Sequence, residues 1–418
     1  LFMKNNGKAI FKKGGSITAA ARVHGLAAAD YDRDGFVDVY ACSYGRDFSA
    51  FGEDGVPLPW NDANNGAANA LIRNGGNWKF ANVTVTAGLG KNNNRFSFAA
   101  SWEDVNKDGW MDLYVANDFG TNNFYQNYQG TFTDIAGQAG VEDRSPGMAS
   151  TWGDVNGDGF LDIVCSVKGE SNRTRTLESV VHDAAAKDWK VSSLSEDEVG
   201  SRIEGLRVID IDQDGDEDVL VLSAVQSLEV LLCQDDHSFK KSETPVTGLA
   251  DNVAPSAISE GDLDGDGKLE LLVARDAFAR SARLGEKGRA EVLDQINAPD
   301  VSASLLVSVA ADIDGDNKPE LLLVDGQSSK IHVMKRDEKG VYRLSQSHPG
   351  LSEITDSLVI DADDDGRSDL FLFGKDHFWW YTLQPDDFGI TATQIYETDL
   401  KDVTYASVLT GKMDGDDR

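Results

Sequence analysis

Cysteine is scarce in this chain of 418 residues: Cys42, Cys165 and Cys233 are too few and too scattered for a disulfide framework or a zinc cluster. All three read as small buried residues within strands. The six histidines, His24, His182, His237, His332, His348 and His377, are dispersed without metal-ligand spacing and read as surface or packing residues. No run approaches the ~18 consecutive apolar residues of a membrane span. The opening LFMKNNGKAIFKK has no apolar core of a secretory signal, so any targeting peptide is expected to lie outside this sequence. Positive charge is the largest deficit: 39 Lys and Arg stand against 71 Asp and Glu, a formal charge of −32. Such a chain has no broad basic surface to displace the counterions of a polyphosphate, which argues against nucleic acid and anionic bilayers and points to cations.

With 40% apolar and 26% charged residues, the latter of both signs, the chain is not an acidic disordered tail and should bury a large core. A repeat organises it. The pattern D-x-[DN]-x-D-[GN]-x-x-[DE] occurs seven times: DYDRDGFVD, DVNKDGWMD, DVNGDGFLD, DIDQDGDED, DLDGDGKLE, DIDGDNKPE and DADDDGRSD. A degraded eighth copy, KMDGDDR, starts at Lys412. Successive starts lie 74, 50, 56, 52, 50, 49 and 51 residues apart, a period near fifty after the first gap.

Each motif is preceded by a short apolar stretch such as SFAASWE or LLVSVAA. It is followed by a run rich in Val, Ile, Leu and aromatics, such as VDVYACS, MDLYVAN or PELLLVD. These runs, bounded by turn residues, are strands, so each motif reads as a hairpin loop. The rest of a period supplies two more extended segments, as in KIHVMKRDEKGVYRLSQS and FWWYTLQPDDFGITATQIY. Four strands in about fifty residues is the size of one β-propeller blade, and radial repetition leaves few exposed edges. The expected fold is all-β, a single propeller domain over residues 1–418 with seven whole four-stranded blades and an eighth shared between the termini. Residues 1–13 resemble the third and fourth strands of a blade, and residues 403–411, VTYASVLTG, a first strand. The chain reads as stopping in mid-repeat, and the long first period places a loop insertion at about residues 43–67.

Side-chain oxygens at positions one, three, five and nine, with a sharp turn at position six, suit a hard cation of calcium size, which takes six to eight oxygens at about 2.3–2.6 Å. The expected ligands are Asp30, Asp32, Asp34 and Asp38 in loop 1, Asp104, Asn106, Asp108 and Asp112 in loop 2, and Asp154, Asn156, Asp158 and Asp162 in loop 3. Loop 4 offers Asp210, Asp212, Asp214 and Asp218, and loop 5 offers Asp262, Asp264, Asp266 and Glu270. Loop 6 offers Asp312, Asp314, Asp316 and Glu320, and loop 7 offers Asp361, Asp363, Asp365 and Asp369. About seven Ca²⁺ sites follow. Gly35 marks the turn at position six, where loop 6 carries Asn317, the non-glycine residue best tolerated at positive φ.

Three or four carboxylates within ~5 Å repel by about 3 kcal/mol per pair at an effective dielectric of 20, on the order of 10 kcal/mol per loop before relaxation and screening. A divalent ion removes that penalty. One copy alone would read as a polar turn, but seven in register read as metal sites. Lys412 and Asp417 spoil the eighth copy. EF-hands need a Glu at position twelve, where four of these loops have Ala41, Val115, Cys165 and Val273. Of the 71 acidic residues, 26 occupy ligand positions, and seven divalent ions would bring the charge from −32 to −18.

The repeated motif resembles the FG-GAP or VCBS-type propeller repeats of integrin α-subunit heads and many bacterial surface proteins, over nearly the whole chain. Residues 60–165, with WNDANNGAANALIRN, RFSFAASWEDVNKDGWMDLYVANDFG and GVEDRSPGMASTWGDVNGDGFLDI, are similar to the repeat region of cartilage acidic proteins and their bacterial relatives. The later blades are more generic. The resemblance implies an extracytoplasmic location, calcium-stabilised blades, and adhesion or assembly with another protein or a surface glycan. It does not imply a catalytic site.

The sequence contains no G-x-S-x-G, H-E-x-x-H or P-loop, and no G-x-G-x-x-G opening a helix. Ser238 and Lys241 have a nucleophile-and-base spacing but sit in a polar SFKKSE turn. Rings at Phe378, Trp379, Trp380 and Tyr381, after His377, could stack on a sugar or pack between blades. The insertion, with Phe48, Phe51, Pro57, Pro59 and Trp60, could contact a ligand or seal a propeller face. Asn82-Val83-Thr84 and Asn172-Arg173-Thr174 match glycosylation acceptors. The expected function is a non-catalytic interaction or assembly module outside the cytoplasm, suited to be a subunit of a larger assembly. The alternative is a lectin or carbohydrate-active enzyme of polysaccharide-lyase type, holding an acidic sugar against calcium on one propeller face.

Overall fold

The computed structural model describes residues 2–5, 11–18, 22–45, 57–58, 62–142, 150–156, 162–168, 174–183, 188–194, 199–200, 203–223, 227–234, 237–242, 253–285, 289–313, 315–316, 318–361, 367–374, 377–383 and 390–397. Every run that follows a motif is a strand beginning at position nine: Asp38–Ser43, Asp112–Asn117, Asp162–Lys168, Asp218–Ser223, Glu270–Arg275, Glu320–Asp325 and Asp369–Phe373. The residue before position one pairs with position nine each time, from Ala29 with Asp38 to Ile360 with Asp369. Each motif is therefore the loop of an antiparallel hairpin. These second strands are covered on both faces; Glu320–Asp325, for example, is buried along its whole length. That explains why they read as continuous apolar runs rather than alternating ones.

The hairpins extend into seven four-stranded antiparallel sheets whose strands lie side by side in chain order, the blades of an all-β propeller. Blades 1 to 7 span residues 23–82, 97–134, 150–200, 203–241, 258–297, 305–349 and 356–397. Blade 3 adds a short strand, Val199–Gly200, against Thr174–Asp183. A further hairpin pairs Phe2–Asn5 with Phe11–Gly15. Phe2 packs against Val39, Ala70 and Ile72, whereas Tyr40, Cys42 and Leu71 face blade 2. The hairpin thus packs on the face of blade 1 opposite blade 2. Residues 403–411, the expected first strand, lie outside the described residues.

The core lies between blades rather than within them. Ala27, Tyr40 and Leu71 meet Leu113, Val115 and Tyr125 across blades 1 and 2. Leu220 and Leu222 meet Ile258 and Leu271 across blades 4 and 5, and Val307 and Leu322 meet Leu370 and Leu372 across blades 6 and 7. Apolar burial at ~25 cal/mol per Å² therefore couples each blade to its neighbour. Gly153 permits the close approach of blades 3 and 4, because a Cβ there would lie 2.5 Å from Val208 Cγ1.

The aromatic run of blade 7 goes to packing. Trp380 and Tyr381 are buried, Trp380 stacks on Phe371 at 5.7 Å, and Phe378 and Trp379 pack against the adjoining cores. In the insertion Pro57 is buried, while Phe48, Phe51, Pro59 and Trp60 lie outside the described residues. Asn82 is exposed, with its Oδ1 accepting the Thr84 hydroxyl at 2.6 Å, and Asn172 lies outside. No helix among the described residues is long and apolar enough to cross a membrane.

Candidate metal centres

The loops are wrapped by their own carboxylates. Position one accepts the N–H groups of positions five and six: Asp30 from Asp34 and Gly35 at 3.1 and 2.9 Å, Asp104 from Asp108 and Gly109 at 3.0 and 2.7 Å, and Asp262 from Asp266 and Gly267 at 3.1 and 2.9 Å. Position five accepts the N–H of position seven, as in Asp34 from Phe36, Asp214 from Asp216 and Asp266 from Lys268. Position six is left-handed, with φ of 87° at Gly35, 86° at Gly109, 104° at Gly215 and 86° at Gly267.

Position nine is the buried anchor. Asp38, Asp112 and Asp218 are fully buried, and each accepts a third-strand N–H, from Asn74 at 2.7 Å, Asn127 at 2.7 Å and Cys233 at 2.8 Å. The second oxygen takes the N–H of position two, for example Ile211 to Asp218 at 3.1 Å and Leu263 to Glu270 at 2.7 Å. One carboxylate thus ties loop, second strand and third strand together.

Three loops bring their predicted ligands into one cluster. The ligand oxygens of Asp30, Asp32 and Asp38, of Asp210, Asp212 and Asp218, and of Asp262, Asp264, Asp266 and Glu270 lie within 4.8 Å of one another in each set. Burial, and then the neighbouring carboxylates, push Asp38 up to about 8, Asp218 to about 7 and Asp212 to about 6. Asp112 in loop 2 rises to about 7 and Glu270 is raised, for the same reasons. The buried Oδ1 atoms of Asp32 and Asp210 have no hydrogen-bond partner. An oxygen-rich set with buried, orphaned carboxylate oxygens fits a bound cation, since such atoms otherwise cost about 1–3 kcal/mol each or more.

The loops are not equivalent. In loop 1 the Arg73 guanidinium pairs with Asp32 and, at 2.6 Å, with Asp34. In loop 6 Lys335 Nζ lies 3.3 Å from Glu320 and 3.7 Å from Asp316. Both cations stand on the third strand, a feature invisible in the motif. Loop 3 contributes Asp154, Asn156 and a buried Asp162, and loop 7 an exposed Asp361 and a buried Asp369. Asp158, Asp314, Asp363 and Asp365 lie outside the described residues.

Two further positions belong to the loop design and were not expected. Position four is also left-handed, with φ of 59° at Arg33, 54° at Lys107 and 61° at Gln213; Gly157, Gly265 and Gly315 were the signal in the sequence. Position two is a buried apolar plug, from Tyr31 and Val105 to Ile211, Leu263 and Ile313. Its apolar character in all seven copies was the signal.

Elsewhere, Lys241 pairs with Glu229 on the neighbouring strand, so its charge is engaged away from the proposed base role. Blade 6 places Ser347 Oγ 2.8 Å from His332 Nδ1, and Asp325 Oδ2 3.7 Å from His332 Nε2. This Asp carboxylate already braces its turn, accepting from Ser304 N at 2.9 Å, Gln327 N at 3.0 Å and Ser328 Oγ at 2.5 Å. The trio is a structural brace across the strands of the blade, as the packing reading of His332 expects.

Comparison with known proteins singles out the same loops. Residues 104–165 and 210–273 match the FG-GAP-like repeat. Each FG-GAP-like match runs from one loop through the strand that follows the next, so loops 2 to 5 are covered. No curated protein matches the chain in sequence. Among solved structures, one on specific recognition of non-reducing terminal N-acetylglucosamine by an Agrocybe aegerita lectin is similar at 14% identity, with 94% of this chain and 86% of that one covered and a TM-score of 0.46. A putative 6-phosphogluconolactonase from Bacteroides uniformis is similar at 10% identity, covering 68% and 78%, with a TM-score of 0.39. A protein from Lactobacillus plantarum is similar at 11% identity, covering 69% and 79%, with a TM-score of 0.39. Likenesses at this level carry no argument about ligand or activity.

Proposed function

We propose that residues 1–418 form one calcium-stabilised propeller of the FG-GAP or VCBS type, acting outside the cytoplasm as a non-catalytic module that binds a protein or a surface glycan. The observation that carries this reading is the convergence of carboxylate oxygens within 4.8 Å in loops 1, 4 and 5, with buried orphaned oxygens at Asp32 and Asp210. The same loop pattern in loops 2, 3, 6 and 7 extends the count to about seven, and the cadence of residues 60–165 supports kinship with cartilage acidic proteins. Bound calcium would supply charge neutralisation at the carboxylates of positions one, three, five and nine. The protein's own part is to wrap the loop and anchor position nine. Millimolar extracellular calcium would keep such loops filled, which is why loops of this kind suit a module outside the cytoplasm.

Metal analysis by mass spectrometry and melting with and without EGTA test the reading. Several calcium ions per chain and a melting temperature lowered by many degrees in EGTA are expected. An unchanged melt with no bound metal would refute calcium stabilisation. Formation of an absorbing unsaturated product from a polyuronate would instead establish the lyase alternative.

A further inference from the structure

One group in blade 4 stands outside the calcium pattern. Asp216 occupies position seven of loop 4, which supplies no side-chain ligand in the nine-residue motif. A carboxylate oxygen of Asp216, the sulfur of Cys233 and a ring nitrogen of His237 all lie within 4.8 Å of one another. Each is placed by a separate constraint. Asp216 N–H donates to Asp214 Oδ1 at 3.0 Å, holding the loop in its turn. Cys233 ends the strand Ser227–Cys233, and its N–H donates to the buried Asp218 Oδ1 at 2.8 Å, which sets the thiol beside the loop. His237 sits in the turn to Phe239–Lys241, its N–H donating to the Gln234 carbonyl at 2.7 Å. The three line a cleft of about 170 Å³ between blades 3 and 4, whose walls include Asp154, Val155 and Glu217.

We propose that Asp216, Cys233 and His237 form a second class of metal site, for a thiophilic divalent cation of the zinc type. The donor set decides the class. Calcium takes oxygen ligands, whereas a thiolate with an imidazole and one carboxylate is the set that holds zinc and cobalt. Tetrahedral zinc, with bonds of about 2.0–2.3 Å, separates its ligands by about 3.5 Å, so side-chain rotations of about an ångström complete the site. Three protein ligands leave a fourth position open to the cleft, where a water or a donor from a bound partner would coordinate. On binding, the Cys233 S–H bond breaks, an S–metal bond forms, and one proton leaves to solvent.

Cobalt titration of the whole chain in excess CaCl₂, after transition metals are stripped, tests the site independently of the calcium loops, which stay supplied throughout. One equivalent of Co²⁺ should give a sulfur-to-cobalt charge-transfer band, and Zn²⁺ should abolish it. Cys233→Ser should remove the band, Cys42→Ser and Cys165→Ser should retain it, and His237→Asn should weaken cobalt binding by about tenfold or more. Because His237 is exposed in a turn, that variant folds even if a strand cysteine variant does not. Absence of a sulfur band in the parent protein, a band that survives Cys233→Ser, or unchanged affinity in His237→Asn would each overturn the proposal.

Discussion

Replacing Arg73 with alanine asks whether loop 1 is neutralised by the protein's own cation. The guanidinium donates to Asp32 and to Asp34 from a neighbouring strand, and the side chains are 38% exposed for Arg73 against 17% and 24% for the two acids. Exposure at that level puts each pair near ~1 kcal/mol, well below the 3–5 kcal/mol at stake when a buried pair is broken. Together they stabilise the metal-free loop by about 2 kcal/mol. Calcium bound as proposed would have to displace the guanidinium from both carboxylates and so would forfeit the same amount on binding. Arg73→Ala should therefore lose about 2 kcal/mol in EGTA and almost nothing in saturating calcium, while loop 1 binds calcium about thirtyfold tighter at 1.4 kcal/mol per decade. Urea unfolding under both conditions and calorimetric titration provide the assay. Thermal melting is less sensitive, because ~2.1 cal/mol/K per residue over a chain this long converts 2 kcal/mol into only about 2 °C. Equal losses with and without calcium, or an unchanged affinity, would refute the reasoning.

Two other expectations follow from burial. Asp38 is raised from 3.8 to about 8, and Asp112 and Asp218 to about 7, so the folded metal-free protein keeps protons that the unfolded chain has lost. Stability in EGTA should then fall as pH rises from about 4 to about 8, whereas in saturating calcium, which would hold these groups ionised, that fall should vanish and stability should stay level above about pH 5; parallel urea midpoints would contradict this. Trp380→Ala, at a fully buried ring stacked on Phe371, should cost about 3–5 kcal/mol whether or not calcium is present, and a calcium-dependent loss would show that this core is coupled to the loops.

Much of the loop architecture was legible because its determinants are local. Asp30, Gly35 and Asp38 act within nine residues, and a strand had to follow because the apolar run after each motif is long enough to be buried on both faces. Position four escaped notice because Arg33, Lys107 and Gln213 hide a left-handed backbone that only the glycines of other copies reveal. The aromatic run was ambiguous because Trp380 and Tyr381 would read the same on an exposed strand; packing settles their burial, Tyr381 in the core shared with blade 6 and Trp380 against Phe371 and Phe373 of its own blade. Cys233 reads as a plain buried residue, and nothing in its local sequence announces the approach of Asp216 across the sheet.

The sequence by itself determined the period, the all-β class, the hairpin at each motif and the identity of the carboxylates, since spacing and turn chemistry operate over a few residues. Only the tertiary structure decided which loops carry an internal cation and which carboxylates are buried. Those outcomes depend on lateral strand register and on packing of one blade against the next, which bring Arg73 to Asp32 and Asn127 to the Tyr31 carbonyl across 41 and 96 residues of chain. No local pattern encodes contacts of that separation; the first exists only once the strands of blade 1 are in register, the second only once blade 2 is stacked on it.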